Sequence, residues 1–174
     1  MAKGTLETVG DVVTAVDSSR VNGISDAFLT SLKGCSLSKV VDGMFYTDQS
    51  VMLASVETGG ETYFKLGSQD DDISGTYLLS QAGEVFIQGP DGGQLRFVNS
   101  GLGSFFHFLE KWSGFVSGPA PLDASGDIDE DAVIEEGVRL KGALERVDAA
   151  AFSDESTWWS NVYEEVELGV LGPL

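Results

Sequence analysis

The chain has 174 residues, 42% of them hydrophobic and 22% charged, enough apolar material to build a core without disulfides or metals, which argues against wholesale disorder. With 28 acidic against 10 basic side chains its formal net charge is −18. That balance argues against direct binding of nucleic acid or anionic lipid, because neither meets the clustered Lys and Arg that counterion release requires, and it favours fast encounter with a basic protein.

One cysteine, Cys35, excludes an intramolecular disulfide and a thiolate metal site. The opening MAKGTLETVGDVV has no apolar run of signal-peptide length, and no stretch approaches a membrane span. The expectation is a cytoplasmic protein of one α+β domain spanning residues 1–174.

Residues 1–42 read as a helical N-terminal part. Val9, Val12, Val13 and Val16 recur at helical spacing, as do Ile24, Phe28, Leu29 and Leu32 after Asn22-Gly23, and Gly34 supplies a stop. From 43 to 98 the period becomes strand-like, predicting a twisted, mainly antiparallel sheet of about six strands, flanked by N-terminal and C-terminal helices. Met44-Phe45-Tyr46 and Val51 to Val56 come first, and Thr58-Gly59-Gly60-Glu61 turns the chain into Thr62 to Leu66 as a hairpin. Thr76 to Leu79, Glu84 to Ile87 and Gln94 to Val98 follow, joined at Gln81-Ala82-Gly83 and Gly89-Pro90-Asp91-Gly92-Gly93. Connections this short force antiparallel neighbours, since a parallel crossover takes a dozen residues or more.

Residues 99–112 predict a helix packed on the sheet. Asn99 or Ser100 is the expected N-cap. Leu102, Phe105, Phe106, Leu109 and Trp112 share one broad face, with Phe108 on its flank and His107 and Lys111 opposite. Gly114, Gly118, Pro119 and Pro121 make 113–128 a loop. Residues 129–174 then read as an acidic helical C-terminal part. Val133, Leu140, Leu144 and Val147 line one helix, and Trp158, Trp159, Val162, Tyr163 and Val166 line a last helix from about Asp154 to Leu168, stopped by Gly169.

Sites of catalysis are scarce. His107 is the single histidine, which removes multi-histidine metal centres and leaves one candidate base, placed on the solvated side of its helix. Asp127-Ile128-Asp129-Glu130-Asp131 has the alternating carboxylates of a calcium loop, but Ala132 stands where the loop needs Gly and Val138 where it needs a bidentate Glu. Those acids are better read as a helix start complementing the macrodipole. Gly101-Leu102-Gly103 begins like a dinucleotide fingerprint, yet Phe106 replaces the third glycine and no βαβ unit surrounds it. No cofactor is expected, and a non-enzymatic role follows.

At Phe97-Val98-Asn99-Ser100-Gly101-Leu102, with Phe105 and Leu109 following and Gly83-Glu84-Val85 upstream, the sequence resembles the SUKH superfamily of bacterial immunity proteins. Within it the sequence most resembles the subgroup common in actinobacteria, often numbered the fourth. The tail Trp158-Trp159, Glu164-Glu165-Val166 and Gly169-Val170-Leu171 is similar to the family's terminal helix, and Gly101 stands where the family has a second serine. The resemblance implies an α+β fold and a protein that binds and blocks a cognate toxin encoded beside it, commonly a nuclease or a nucleic-acid deaminase. It transfers no contact residue.

The acidic runs supply the candidate contacts, with a merely solvated loop or helix face as the alternative for each: Asp70, Asp71 and Asp72 in one loop, and Asp127, Asp129, Glu130, Asp131 and Glu135 around a helix start. Two other readings stay open, a general interaction or scaffolding module of the same fold and a small enzyme acting through His107.

Overall fold

The computed structural model describes residues 8–11, 36–38, 40–41, 44–47, 53–69 and 75–173. Among these residues nine strands come first: β1 (Thr8–Asp11), β2 (Ser36–Ser38), β3 (Val40–Val41), β4 (Phe45–Tyr46), β5 (Ser55–Thr58), β6 (Glu61–Gln69), β7 (Gly75–Ser80), β8 (Val85–Gln88) and β9 (Leu95–Asn99). Three α-helices follow: α1 (Leu102–Val116), α2 (Glu130–Glu145) and α3 (Trp158–Glu167), with a 3-10 turn at Ala149–Phe152 before the last. The fold is α+β, as expected. A curled antiparallel sheet runs β3-β4-β6-β7-β8-β9, with β5 paired to β6, and β1 and β2 form a separate ribbon.

The meander follows from its turns. Gly59 and Gly60 occupy positive φ (60° and 83°), which closes a two-residue hairpin whose twist matches the flanking strands, and Thr58 faces Glu61 in register. Strands β6 to β9 then pair in sequence. Their alternation places Phe64 and Leu66, Tyr77 and Leu79, Val85 and Ile87, and Val98 in the same buried core.

Onto that core lies α1, which buries Leu102, Phe105, Phe108, Leu109, Trp112 and Phe115. Tyr77 is the hub between strand and helix: its ring centroid lies 5.2 Å from Phe105, 5.6 Å from Phe45 and 5.6 Å from Trp158. Its hydroxyl donates to the Met44 carbonyl at 2.8 Å. On the far side of α1, Trp159 of α3 meets Phe108 at 5.3 Å and Tyr163 meets Trp112 at 6.0 Å. Gly137 lets α2 approach α3 closely, since a β-carbon there would overlap Val166. Tyr163 is fully buried, and its hydroxyl has no hydrogen-bond partner among the described residues. Burial pushes that hydroxyl's pKa well up, which keeps it neutral.

A buried polar knot joins the meander to the C-terminal half. Asn99, the last residue of β9, accepts from the Trp159 indole N–H at 3.0 Å and donates through Nδ2 to Asp148 Oδ2 at 3.0 Å. Asp148 also accepts from the Ser100 backbone N–H at 2.8 Å and the Ser100 hydroxyl at 2.7 Å. Asn99 is wholly buried and Asp148 nearly so, at 6% exposure. A carboxylate in that position is tolerable because its lone pairs are met by three donors.

Several expectations are corrected by this geometry. Thr8–Asp11, Ser36–Ser38 and Val40–Val41 are short strands, not helical pieces; Thr and Val favour extended backbone and Gly10 disfavours helix. The helical readings at Val12, Val13, Val16, Ile24, Phe28, Leu29 and Leu32 lie outside the described residues. Neither Asn99 nor Ser100 caps α1. Gly101 holds that position with no side-chain bond, because both side chains are committed to Asp148. The helix runs on through Gly114 to Val116, since Phe115 is drawn into the core beside Trp112 at 5.8 Å. Phe108 is fully buried and Phe106 only half-buried, the reverse of the expected order, as α3 covers the Phe108 side. Val147 is 54% exposed, because α2 ends at Glu145 and the chain swings to bury Asp148. The last helix begins at Trp158, with Asp154 spent on a turn in which it accepts from the Ser156 backbone N–H.

The knot makes stability depend on acid pH. Burial pushes the Asp148 carboxyl up, but the hydrogen bonds from Asn99 and Ser100 outweigh it and hold the group below its ordinary 3.8. A lowered native pKa gives stability that is complete above about pH 4 and is lost as pH falls through the native value. Asp148→Ala, which orphans buried donors, is expected to cost about 3 kcal/mol in urea unfolding at neutral pH. Asp148→Asn should cost less, and its stability relative to the parent should rise as pH drops below about 4. A parallel pH profile for the two chains would contradict the assignment.

Candidate functional site

The acidic runs were expected to mark a binding surface, and the structure places them unequally. Asp70, Asp71 and Asp72 lie outside the described residues. The second run sits where the chain leaves α1, makes a loop from Ser117 to Ile128 and starts α2. Leu122 and Ile128 form a β-bridge that closes this loop, and Asp123 organises its tip. The Asp123 carboxylate accepts from the Ser125 backbone N–H at 2.8 Å, the Ser125 hydroxyl at 2.7 Å and the Asp127 N–H at 3.0 Å. The Ser125 hydroxyl bond, with the backbone donors of Asp127 and Ser125 behind it, lowers that carboxyl's pKa.

Four of the five acids expected here have carboxylates facing solvent. Asp127, Glu130, Asp131 and Glu135 are exposed, and Asp131 and Glu135, one turn apart, share a face of α2. Asp129 has a structural task. It is half-buried, and its Oδ1 accepts from the Ala132 N–H at 3.0 Å as the N-cap of α2. Glu130 and Asp131 fall in the first turn, where negative charge complements the helix dipole. Among the described residues no group of three His, Cys, Asp or Glu side chains is placed to hold a metal. His107 is half-buried on α1.

A feature the sequence reading missed adjoins this run. After α3 the chain ends its helix with Gly169 at φ +70°, with the Gly169 N–H bonded to the Val166 carbonyl at 3.0 Å and the Val170 N–H to the Glu165 carbonyl at 2.8 Å. The segment beyond folds back on α2, where a β-carbon at Gly172 would meet Val133 Cγ1 at 2.8 Å. Between this strap and the start of α2 lies a groove of about 300 Å³, lined by Ile128, Glu130, Val133 and residues 169–173. Its signal in the sequence was Gly169-Val170-Leu171-Gly172-Pro173, apolar residues after a helix stop. Nothing local says that such a tail returns to a helix 39 residues earlier, from Gly172 to Val133.

Compared with known families, residues 46–165 match the SUKH-4 immunity protein model. The chain belongs to the SUKH-4 immunity protein family. No curated protein matches the chain, and no solved structure does. The SUKH-4 match takes in the sheet from the end of β4, all of α1 and α2, the Asn99–Asp148–Trp159 knot and most of α3. The strap that closes the groove lies beyond it. Among the described residues no helix is long and apolar enough to cross a membrane.

The division of labour among the acids is testable by stability alone. Asp129→Ala is expected to cost about 1 kcal/mol in chemical denaturation through loss of the α2 cap. Glu135→Gln, with no cap to lose, should stay within about 0.5 kcal/mol of the parent. Equal effects from both would contradict the structural role of Asp129.

Proposed function

We propose that this SUKH-4 protein protects its host by binding one cognate toxin, a basic nuclease or nucleic-acid deaminase, and that it does so in the cytoplasm without catalysis. Family membership supports the immunity role, and the charge distribution supports a basic partner. Residues 119–174 hold 14 acidic side chains against Arg139, Lys141 and Arg146, and the paired cation among these, Lys141, is already bound to Glu167 at 2.7 Å. A toxin that works on nucleic acid needs a cationic groove, and an acidic inhibitor reaches such a groove by electrostatic steering. Asp127, Glu130, Asp131 and Glu135 are the proposed contacts on the described surface, with Asp70, Asp71 and Asp72 as a second patch. Asp129 contributes by fixing the helix that carries three of them.

The observation that carries this reading is the family match joined to a net charge of −18. Its test is co-expression with the toxin encoded beside the gene, followed by association kinetics of the purified pair. Replacing Glu130, Asp131 and Glu135 together with their amides is expected to slow association about tenfold at low salt and much less at high salt, where screening removes the steering. Asp70, Asp71 and Asp72 replaced by Asn should act in the same direction. His107→Ala should protect fully. Loss of protection in that variant, with the fold intact, would overturn the non-catalytic reading, and salt-independent association in every charge variant would overturn the electrostatic one.

A further inference from the structure

The groove between the start of α2 and the strap after α3 has an apolar wall and an anionic rim, and the two together specify an occupant. Val133 is its buried apolar wall, and Ile128 and Val170 also line it, at 44% and 68% exposure. Leu122, bridged to Ile128, is 63% exposed, and Leu168, next to the strap, is 70% exposed. Two large apolar side chains of the groove itself, Ile128 and Val170, are thus left in water, with two more exposed on adjoining chain. Surfaces of that kind mark interaction sites rather than ordinary exterior.

The rim narrows the choice of partner. Glu130 lines the groove at the start of α2, and the exposed carboxylates Asp127 and Asp131 stand beside it in the chain. The α3 carboxylates Glu164 and Glu167 belong to a separate hollow with Lys141 and Phe152, away from this groove. A second copy of this chain, carrying −18 itself, would be repelled. The complement is a cationic protein segment that offers an apolar tip.

We propose that this groove is the anchor pocket of the interface, taking a Leu- or Phe-like side chain from a partner segment flanked by Lys or Arg. The inference rests on the immunity reading for the partner's identity, but the pocket's chemistry is measurable without the toxin. Buried apolar anchors ringed by charges give an interface most of its affinity, while the rim governs the rate of encounter.

The probe is a short fluorescent peptide of alternating Lys and Leu, titrated into the full chain by anisotropy, beside one peptide with Leu replaced by Ser and another with Lys replaced by Glu. The Lys–Leu peptide is expected to bind, the Lys–Ser peptide about tenfold more weakly, and the Glu–Leu peptide not measurably. Ile128→Asn and Val170→Asn, exposed sites whose change leaves the charge as it is, should each weaken the Lys–Leu peptide several-fold with unaltered circular dichroism. Equal binding of the Lys–Leu and Lys–Ser peptides, or full binding by both Asn variants, would overturn the pocket. The same variants in cells separate this failure from that of the function. Full protection by both Asn variants removes the groove as an anchor and leaves the immunity reading standing. Peptide binding at the groove by a chain that gives no protection against the adjacent toxin removes the immunity reading and leaves the pocket's chemistry intact.

Discussion

The hydrogen-bonded chain from Trp159 through Asn99 to Asp148 is the constraint on which the rest of this molecule depends. It lies at the corner where β9 becomes α1, and it draws in one residue from the turn after α2 and one from α3. A buried carboxylate is costly unless its hydrogen bonds are made. Here those bonds can be made only if sheet, α2 and α3 meet in one arrangement. The aromatic contacts around it, Phe108 on Trp159 and Tyr77 on Trp158, supply burial without specifying direction, and the polar knot supplies the direction.

This separation of tasks explains how so acidic a chain folds. The apolar layer between sheet and helices is continuous from Phe45 to Val166, and the charges are carried on the outward faces of α2, α3 and the loop before α2. Of the acids in that region, Asp123, Asp129, Asp148 and Asp154 each accept backbone N–H groups. The others are left to the surface, so mutual repulsion is confined to the exterior, where water and salt moderate it. The anionic face is then carried on helices packed onto the core beneath it, as the proposed encounter with a cationic partner requires.

How far the fold could be read from the sequence depended on the range of the determining contacts. The hairpin at Gly59-Gly60 and the turn at Gln81-Ala82-Gly83 were legible because turn chemistry is local. So was the stop at Gly169. The N-cap of α1 was misread because Asn99 is a good cap in isolation, and only a tryptophan 60 residues away and an aspartate 49 away remove it from that duty. Phe106 and Phe108 exchanged places because a helical wheel gives the width of an apolar face but not which edge α3 will cover. The acid run at Asp127 to Asp131 was found by composition, yet its internal division, with Asp129 as a cap and its neighbours in water, needed coordinates. The strap and its groove were missed for the same reason, since the tail's packing on Val133 is set by tertiary structure alone.

Hydrogen exchange on the Asp148→Asn chain tests the central claim most directly, because it reads local opening segment by segment. If the knot couples the meander to the C-terminal half, amides of α2 and α3 should lose protection while those of β6, β7 and β8 keep theirs. Protection lost evenly across sheet and helices, or unchanged in both, would contradict the account.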